Sequence, residues 1–319
     1  MPMKRELSNV ARRMLRPLAK AAMKCGLIPR EVIIRMDGGV CSQLHFYLMG
    51  EIFRRRGCRV SFDTSWFETC GMDLDGRFVR NLDLLKLFPS LPWHERRGGV
   101  VLSVYRHLFC HLSEYFSCDS TAWTDMDAPC YLAGYYHDPK ELYGKMFYET
   151  FSLDTSVLDE VNSSMLDKIL AAGEGAVAIH VRRGDLSGYN PAYGNPATTG
   201  YFRRALAKVA ELHADPVLFI FSDEPEWCHE YLLPSLPGDK VTVVDINGSD
   251  RGYIDLVLMA HCPNVITSKG SLGKYAALLR INRDGIVTLC DEPDSTIWLD
   301  RIQGSIALSL DDDGETDAL

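Results

Sequence analysis

The sequence of 319 residues has no apolar run approaching the ~18 residues that a membrane-spanning helix needs. It also lacks, at its start, the uninterrupted apolar core and small-residue cleavage site of a secretory signal. We therefore expect a cytoplasmic protein. Peripheral attachment to the inner face of a membrane is compatible with both absences.

Metal-binding and redox motifs are missing as well. The 10 cysteines are scattered singly without a C-x-x-C pair, which is typical of reduced thiols, and the 9 histidines show no H-E-x-x-H spacing. Two D-x-D triplets, Asp73–Asp75 and Asp125–Asp127, do not clearly end an apolar strand, so we interpret them as solvated loops. The sequence predicts no metal site and no cofactor.

The common nucleotide motifs are absent too. "KGSLGK" at residues 269–274 resembles part of a phosphate loop but lacks the G-x-x-x-x-G-K-[ST] spacing, which argues against a P-loop kinase. The Gly38-Gly39 turn follows an apolar strand, but it is not G-x-G-x-x-G. It is either a tight turn between a strand and a helix or a place where backbone approaches a ligand.

Charge is distributed unevenly. Residues 1–30 carry eight Lys or Arg against Glu6, a balance of +7, so the net charge of −9 leaves −16 for the rest. An acidic body argues against nucleic-acid binding.

Residues 1–30, which we call the basic head, have apolar residues at helical spacing (Leu7, Val10, Met14, Leu18 and Ala21). This pattern fits a helix on an anionic membrane, or equally one packed on its own domain, and Pro17 would kink it.

Strands and helices alternate along most of the chain. Residues 32–36, 58–63, 176–181, 217–221, 241–245, 264–268 and 285–290 read as strands, with helices between them, and weaker strand patterns lie at 100–105 and 130–136. This order predicts doubly wound α/β domains with parallel sheets. We expect the basic head (1–30), an N-terminal domain (31–152), a C-terminal domain (153–305) and an acidic disordered tail (306–319).

The most informative stretch is "AVAIHVRRGD" at residues 176–185, where an apolar strand ends in His180, Arg182, Arg183 and Asp185. Open α/β sheets bind ligands at the carboxyl ends of their strands. A guanidinium there suits phosphate oxygens and would stabilise a leaving diphosphate. The alternative is an Arg–Asp pair that closes a turn.

Other strand ends of the C-terminal half add polar residues at the same predicted edge. They are Ser222 and Asp223, Asp245, Asp255 at a helix start, and Ser268, Lys269, Gly270 and Ser271. Ser and Asp are also ordinary helix caps, so a single one says little. Their convergence on one edge favours an anionic ligand.

Taken in order, these segments resemble the inverting α-1,2-fucosyltransferase family. "GGVCSQ" (38–43), "FDTSWF" (62–67), "CYLAGYY" (130–136), "IHVRRGD" (179–185), "FSDEPEWC" (221–228) and "YIDLVLMAHCPNVITSKGS" (253–271) are similar to its successive motifs. H-x-R-R-G-D is the most specific of them. The resemblance covers residues 31–280.

The resemblance implies a GT-B-like fold, with two Rossmann-type doubly wound domains facing across a cleft. It also implies metal-independent, inverting transfer of L-fucose from GDP-L-fucose to a glycan hydroxyl, with the 2-OH of galactose as the expected acceptor. By the same resemblance, Arg182 contacts the β-phosphate, His180 and Asp255 lie near the guanine, and Ser271 lies near the phosphates.

Further site residues are assigned by position. We expect Arg182, His180 and Asp185 in catalysis, and we count as donor-binding His180, Arg182, Arg183, Ser222, Asp223, Asp255, Ser268, Ser271, Gly38 and Gly39. Acceptor-side candidates are Asp37, Gln43 and His45. The general base is open between Asp37, His45 and Asp185, and we expect Arg183 to pair with Asp185.

The chain also departs from the family pattern. Cys41 and Ser42 replace Gly-Asn, and "SKGSLGKYAALL" (268–279) lacks the tryptophans of the family segment. A different nucleotide sugar is therefore an alternative donor. A non-catalytic sugar-nucleotide-binding protein is an alternative from another functional class.

Overall fold

The computed structural model describes residues 14–15, 17–18, 21–22, 24–27, 30–72, 76, 78–112, 128–134, 143–184, 186, 195–291 and 295–310. The chain forms two compact units, Met1–Thr150 and Phe151–Leu319. No helix in the described ranges is long and apolar enough to cross a membrane. The nine cysteines within those ranges are free thiols.

Unit 1 contains a five-stranded parallel sheet in the order β3-β2-β1-β5-β4. Its elements are β1 (Glu31–Arg35), α1 (Val40–Arg55), β2 (Arg59–Asp63), α2 (Ser65–Thr69), α3 (Leu84–Leu87), β3 (Glu95–Arg96), α4 (Val100–Leu108), β4 (Cys110–Leu112), β5 (Cys130–Ala133) and α5 (Lys145–Thr150). The predicted strand, glycine turn, helix and strand over residues 32–63 are confirmed.

The strand predicted at residues 100–105 is wrong, because these residues begin helix α4. Leu102 and Tyr105 are buried and pack with Phe109, whereas Val101 and Val104 are exposed. The exposed face of this helix is thus also apolar and β-branched. The apolar, β-branched run at residues 100–105 therefore resembles a strand, and the helical spacing of its buried residues is not evident from the sequence.

Unit 2 contains a six-stranded parallel sheet in the order β11-β10-β9-β6-β7-β8. Its elements are α6 (Glu160–Ala172), β6 (Ala176–Val181), α7 (Thr199–Ala210), β7 (Val217–Ser222), α8 (Pro225–Trp227), α9 (Leu233–Ser235), β8 (Val241–Val243), α10 (Gly252–Ala260), β9 (Asn264–Thr267), α11 (Leu272–Leu278), β10 (Val287–Cys290), α12 (Ser295–Leu299) and β11 (Ser305–Leu308). A π-helical turn, Cys228–Leu232, joins α8 to α9. The predicted doubly wound α/β class is confirmed.

The local sequence explains the main elements of unit 2. All six residues of β6 are buried, as expected of a central parallel strand covered on both faces. Helix α6 begins where the Asp159 carboxylate accepts from the backbone N–H of Asn162 at 3.0 Å, and it ends at Gly173, whose φ is +57°.

Strand β11 corrects the prediction that residues 306–319 form a disordered tail. Ser305–Leu308 pair with β10 at the edge of the sheet, and all four residues are only half-buried. Three of its four residues are apolar, but only two residues separate it from the acidic run that begins at Asp311, and the predicted tail wrongly included most of the strand. Residues 311–319 lie outside the described part of the chain.

One buried arginine fastens the amino ends of three strands. The guanidinium of Arg280, which is 1% exposed, donates to the carbonyl oxygens of Pro263 at 2.6 Å, Gly285 at 2.9 Å and Gln303 at 2.6 Å. These carbonyls precede β9, β10 and β11 in turn. Its Nε also donates to a carbonyl in helix α11, so one side chain joins that helix to half of the sheet.

We expect Arg280→Leu to lower the free energy of unfolding by about 3–5 kcal/mol, because several buried carbonyl groups lose their donor at once. Urea denaturation measures the loss, and hydrogen–deuterium exchange of β9 and β10 locates it. The control is Arg203→Leu on the exposed face of α7, for which a change within about 0.5 kcal/mol is expected. Equal effects of the two variants would contradict this role of Arg280.

Candidate active site

The order of strands in unit 2 creates a crevice at one place. From β6 the chain winds through β7 and β8 on one side, then returns to β9 on the other side of β6 and continues to β10 and β11. The loops after β6 and β9 therefore leave the same sheet edge side by side. Such a switch point, at the carboxyl ends of parallel strands, is where open α/β sheets bind ligands.

Direct bonds hold the two loops together. The backbone N–H of Ser268 donates to the His180 carbonyl at 3.0 Å, and the backbone N–H of Arg182 donates to the Ser268 hydroxyl at 2.8 Å. That hydroxyl also lies 3.5 Å from Nδ1 of His180. Of the predicted site residues, His180, Arg182 and Ser268 are thus brought together.

Two glycines of the β9–α11 loop leave room for these side chains. Gly270 has a φ of +88°, and a Cβ at this position would lie 2.9 Å from Cδ of Arg182 and would also overlap its guanidinium. A Cβ on Gly273 would lie 3.0 Å from the His180 ring. The Arg182 side chain therefore lies across Gly270, and the His180 side chain packs against Gly273.

The electrostatics of this crevice favour an anion. Burial, together with the charges of Arg182 and Lys274, lowers the pKa of His180 to about 3. The imidazole is therefore neutral at physiological pH and can hydrogen-bond but not repel a nearby cation. Lys274 is buried, with its Nζ 5.6 Å from the centre of the Trp298 ring.

Arg183 has a different environment from Arg182. It is 7% exposed, its guanidinium lies 3.8 Å from the centre of the Trp227 ring, and its Nε lies 3.7 Å from a carboxylate oxygen of Glu224. Asp185, the partner that the sequence suggested, lies outside the described residues. Arg183 thus packs beneath the loop.

Asp223 and Ser222 brace the same turn from β7. The Asp223 carboxylate accepts from the backbone N–H groups of Arg183 at 2.9 Å and Gly184 at 3.1 Å, while the Ser222 hydroxyl accepts from the backbone of Glu224 at 3.0 Å. Both side chains are engaged in shaping the loop. Ser271, in contrast, is exposed at the first position before helix α11.

Asp255 lies in the first turn of helix α10. Its Oδ1 accepts from the Asn247 amide at 2.8 Å. Burial raises the pKa of the Asp255 carboxyl to about 7, although Asn247 and Arg251 act in the opposite direction. Sequence reasoning missed Asn247, which lies two positions beyond the singled-out Asp245 in the same loop.

In unit 1, the residues predicted for the acceptor side follow β1. Asp37 lies 3.2 Å from Nε of Arg35, and Gly38 has a φ of +69°, which lets the chain turn into helix α1. Gly39 directly precedes that helix. The glycine pair therefore forms a tight turn, whatever ligand it meets.

Gln43 and His45 both point into the interior of unit 1. The Gln43 amide donates to the carbonyls of Gly38 and Asn81 and accepts from the backbone of residues 83 and 84, so all of its bonding capacity serves the fold. His45 is buried, with Nδ1 3.3 Å from the Tyr143 hydroxyl.

A buried charged cluster at the end of β2 was not predicted as a site. The Asp63 carboxylate, which is 0% exposed, accepts from Arg106 at 2.6 Å and from the Tyr131 hydroxyl at 2.7 Å. Burial acts to raise its pKa, but these hydrogen bonds outweigh burial, and the pKa is lowered. The position of Asp63 at the end of an apolar strand, in "FDTS", was the available signal.

Metal binding has no support among the described side chains, where no three His, Cys, Asp or Glu residues form a group able to hold an ion. Both D-x-D triplets contain residues outside that part of the chain. The expectation of metal-independent chemistry stays a prediction.

Known proteins resemble this chain in sequence and in fold. Galactoside 2-alpha-L-fucosyltransferase Sec1 of Mus musculus is 26% identical over 155 residues, and SEC1 of Bos taurus is 27% identical over 157, in each case over 47% of this chain and 40% of the relative. The chain thus matches about two fifths of these relatives' length.

Among solved structures, ADP-heptose LPS heptosyltransferase II of E. coli is 13% identical at a TM-score of 0.45, covering 87% of this chain and 90% of that one. POFUT1 in complex with GDP-fucose is 8% identical at a TM-score of 0.39, covering 79% of this chain and 95% of that one. Residues 106–299, more than half of the sequence, match the pattern of glycosyl transferase family 11, and they include the crevice between β6 and β9. The chain therefore belongs to glycosyl transferase family 11.

Proposed function

We propose that this chain transfers L-fucose from GDP-L-fucose to a glycan, with the 2-OH of a galactose as acceptor and with inversion at the anomeric carbon. The observation that carries the proposal is Arg182, which is held at the β6–β9 switch point of a family 11 glycosyltransferase. The galactoside 2-alpha-L-fucosyltransferases among its relatives suggest the donor and the acceptor.

Inversion requires a single displacement. The acceptor oxygen bonds to the anomeric carbon of fucose as the bond from that carbon to the diphosphate breaks, and the hydroxyl proton passes to a base. The Arg182 guanidinium stabilises the charge that develops on the leaving GDP. Asp255, when ionised, accepts hydrogen bonds from the donor edge of the guanine.

Two titratable groups, one in each unit, are poorly suited to act as the base. Neutral His180 has a pKa of about 3 and holds a proton too weakly at neutral pH. Asp63 is engaged by Arg106 and Tyr131, which lower its pKa. Asp37, His45 and Asp185 remain the candidates for the general base.

A donor panel tests the proposal. We expect GDP and GDP-L-fucose to raise the melting temperature of the chain, UDP and CMP sugars to leave it unchanged, and fucose to be transferred to a β-galactoside but not to its 2-deoxy analogue. Stabilisation by UDP but not by GDP would overturn the choice of donor. Binding of GDP-L-fucose with neither transfer nor hydrolysis would favour a non-catalytic binding protein.

Variants of the two adjacent arginines should separate catalysis from folding. We expect Arg182→Ala to lower the transfer rate about 100-fold or more with an unchanged melting temperature, because it removes a charge that stabilises the leaving group. Arg183→Ala should instead lower the melting temperature, because it uncovers Trp227 and leaves Glu224 without this cation. Arg203→Ala on α7 serves as the matched control. More than about a tenth of wild-type activity in Arg182→Ala would contradict its role.

We further propose that the basic head binds the anionic inner face of a membrane, where lipid-linked glycans would serve as acceptors. Its described residues include helical Met14, Leu15 and Leu18, all of them exposed. Met14 and Leu18 lie four residues apart and so share one face of a helix. Apolar residues on one face and basic residues elsewhere are typical of helices that lie on membranes.

The full chain should therefore sediment with vesicles that contain phosphatidylglycerol and not with vesicles of phosphatidylcholine alone. Replacing Arg12, Arg13 and Arg16 by Gln should weaken this binding about tenfold or more, since each basic residue near an anionic surface contributes about 1 kcal/mol. The control replaces Lys168, Arg203 and Lys208 by Gln, which removes the same charge from unit 2. Equal losses in both variants would show that net charge, not the basic head, governs binding.

A further inference from the structure

We propose that Asn247 is a positioning residue for the donor: together with Asn162, it fixes the Asp255 carboxylate in the orientation that receives the nucleotide base. This inference rests on the proposed function, in which Asp255 contacts the base. Neither asparagine belongs to a sequence motif considered above.

The two asparagines form a reciprocal amide pair. Nδ2 of Asn247 donates to Oδ1 of Asn162 at 2.9 Å, and Nδ2 of Asn162 donates to Oδ1 of Asn247 at 3.1 Å. Each amide has a second N–H: that of Asn247 reaches Oδ1 of Asp255 at 2.8 Å, and that of Asn162 reaches Oδ1 of Asp159 at 2.8 Å. Both N–H donors of each amide are thus used, which leaves Asn247 a single orientation.

The pair is anchored in rigid elements. Asn162 is 1% exposed in the first turn of helix α6, where Asp159 also accepts from its backbone. Arg251, at the start of α10, donates to the other oxygen of Asp159 at 2.7 Å. The amino ends of α6 and α10 are therefore joined around the β8–α10 loop that carries Asn247.

This arrangement divides the two oxygens of Asp255 between different tasks. Oδ1 is occupied by Asn247, so the carboxylate cannot rotate without losing a charge-assisted hydrogen bond. Oδ2 is the oxygen that the network leaves for a ligand. An ionised oxygen held in one place accepts N–H groups, such as those on the edge of a guanine, and would repel a base that presents only acceptors there.

The charges around Asp255 predict how the network affects protonation. Arg251 favours the ionised carboxyl and Asp245 disfavours it, while Asp159 is paired with Arg251. Helix α11, which packs on α10, carries one charged residue, Lys274. Asn247 donates to the ionised form and so holds the pKa of Asp255 below the value that burial alone would give. Removal of that amide should shift the pKa upward.

The test compares Asn247→Ala and Asn162→Ala with wild type, using GDP-L-fucose and a β-galactoside. We expect Asn247→Ala to raise the donor KM about tenfold at pH 7 with kcat changed far less, since a hydrogen bond to a charged group is lost. The pH below which the donor KM rises should move upward by about half a unit or more, because the ionised Asp255 has lost a donor. Asn162→Ala should show the same changes, but smaller.

The control is Asn282→Ala, an exposed asparagine of unit 2 whose side chain accepts from the backbone of Asp284. Asn247→Gln, which retains the amide, should recover part of the donor affinity. Unchanged donor KM and unchanged pH dependence in Asn247→Ala would overturn the proposal. A loss of kcat alone, with unchanged KM, would do so as well.

A second readout needs no donor. Since the pKa of Asp255 is about 7 in the folded chain and about 4 in the unfolded chain, stability falls as the pH rises from about 4 to about 7 and then levels off. Asp255→Asn should therefore gain more melting temperature over wild type at about pH 8 than at about pH 5. In the Asn247→Ala background, the pH at which this gain levels off should move upward. If wild type binds no GDP-L-fucose, the proposed function fails, and this readout still decides whether Asn247 governs Asp255.

Discussion

The adjacency of β6 and β9 is the constraint on which the candidate site depends. The two strands are far apart in sequence, yet Val177–His180 pair with Asn264–Thr267 in register. The backbone bond from Ser268 to His180 extends this pairing by one step, and the Ser268 hydroxyl then takes the N–H of Arg182. The position of Arg182 is thus set by the end of a strand ladder, which is more rigid than a surface loop.

The side chains of two neighbouring arginines lie in different environments. Arg183 is buried against Trp227, and its turn is braced by the Asp223 carboxylate. Arg182 passes over Gly270 instead. The burial of Arg183 with its partners fixes the conformation of the loop after β6. The loop in turn places Arg182 at the crevice. In the proposed function, this Arg–Arg dipeptide therefore supplies one structural support and one ligand contact.

The parallel sheets could be predicted from the sequence, because buried central strands such as β6 consist mostly of apolar residues. Sequence reasoning failed at α4, where exposed valines resemble a strand, and at β11, a four-residue strand that lies just before the acidic run from Asp311. It found the polar strand ends of unit 2 because parallel strands place them at one edge. It could not show that Gln43 serves only the fold, or that Asn162 reaches Asn247. Those contacts join residues far apart in sequence and leave no local pattern.

The segment "SKGSLGK", which departs from the related family segment, packs against the end of β6. In the described conformation, a side chain at Gly270 would collide with Arg182, and one at Gly273 would press on His180. Larger side chains at these two positions are incompatible with the observed paths of Arg182 and His180. The loop instead holds Arg182 against bare backbone, with buried Lys274 as a second cation near His180. The β9–α11 loop thus packs closely against the basic end of β6, and this packing requires glycine at both positions.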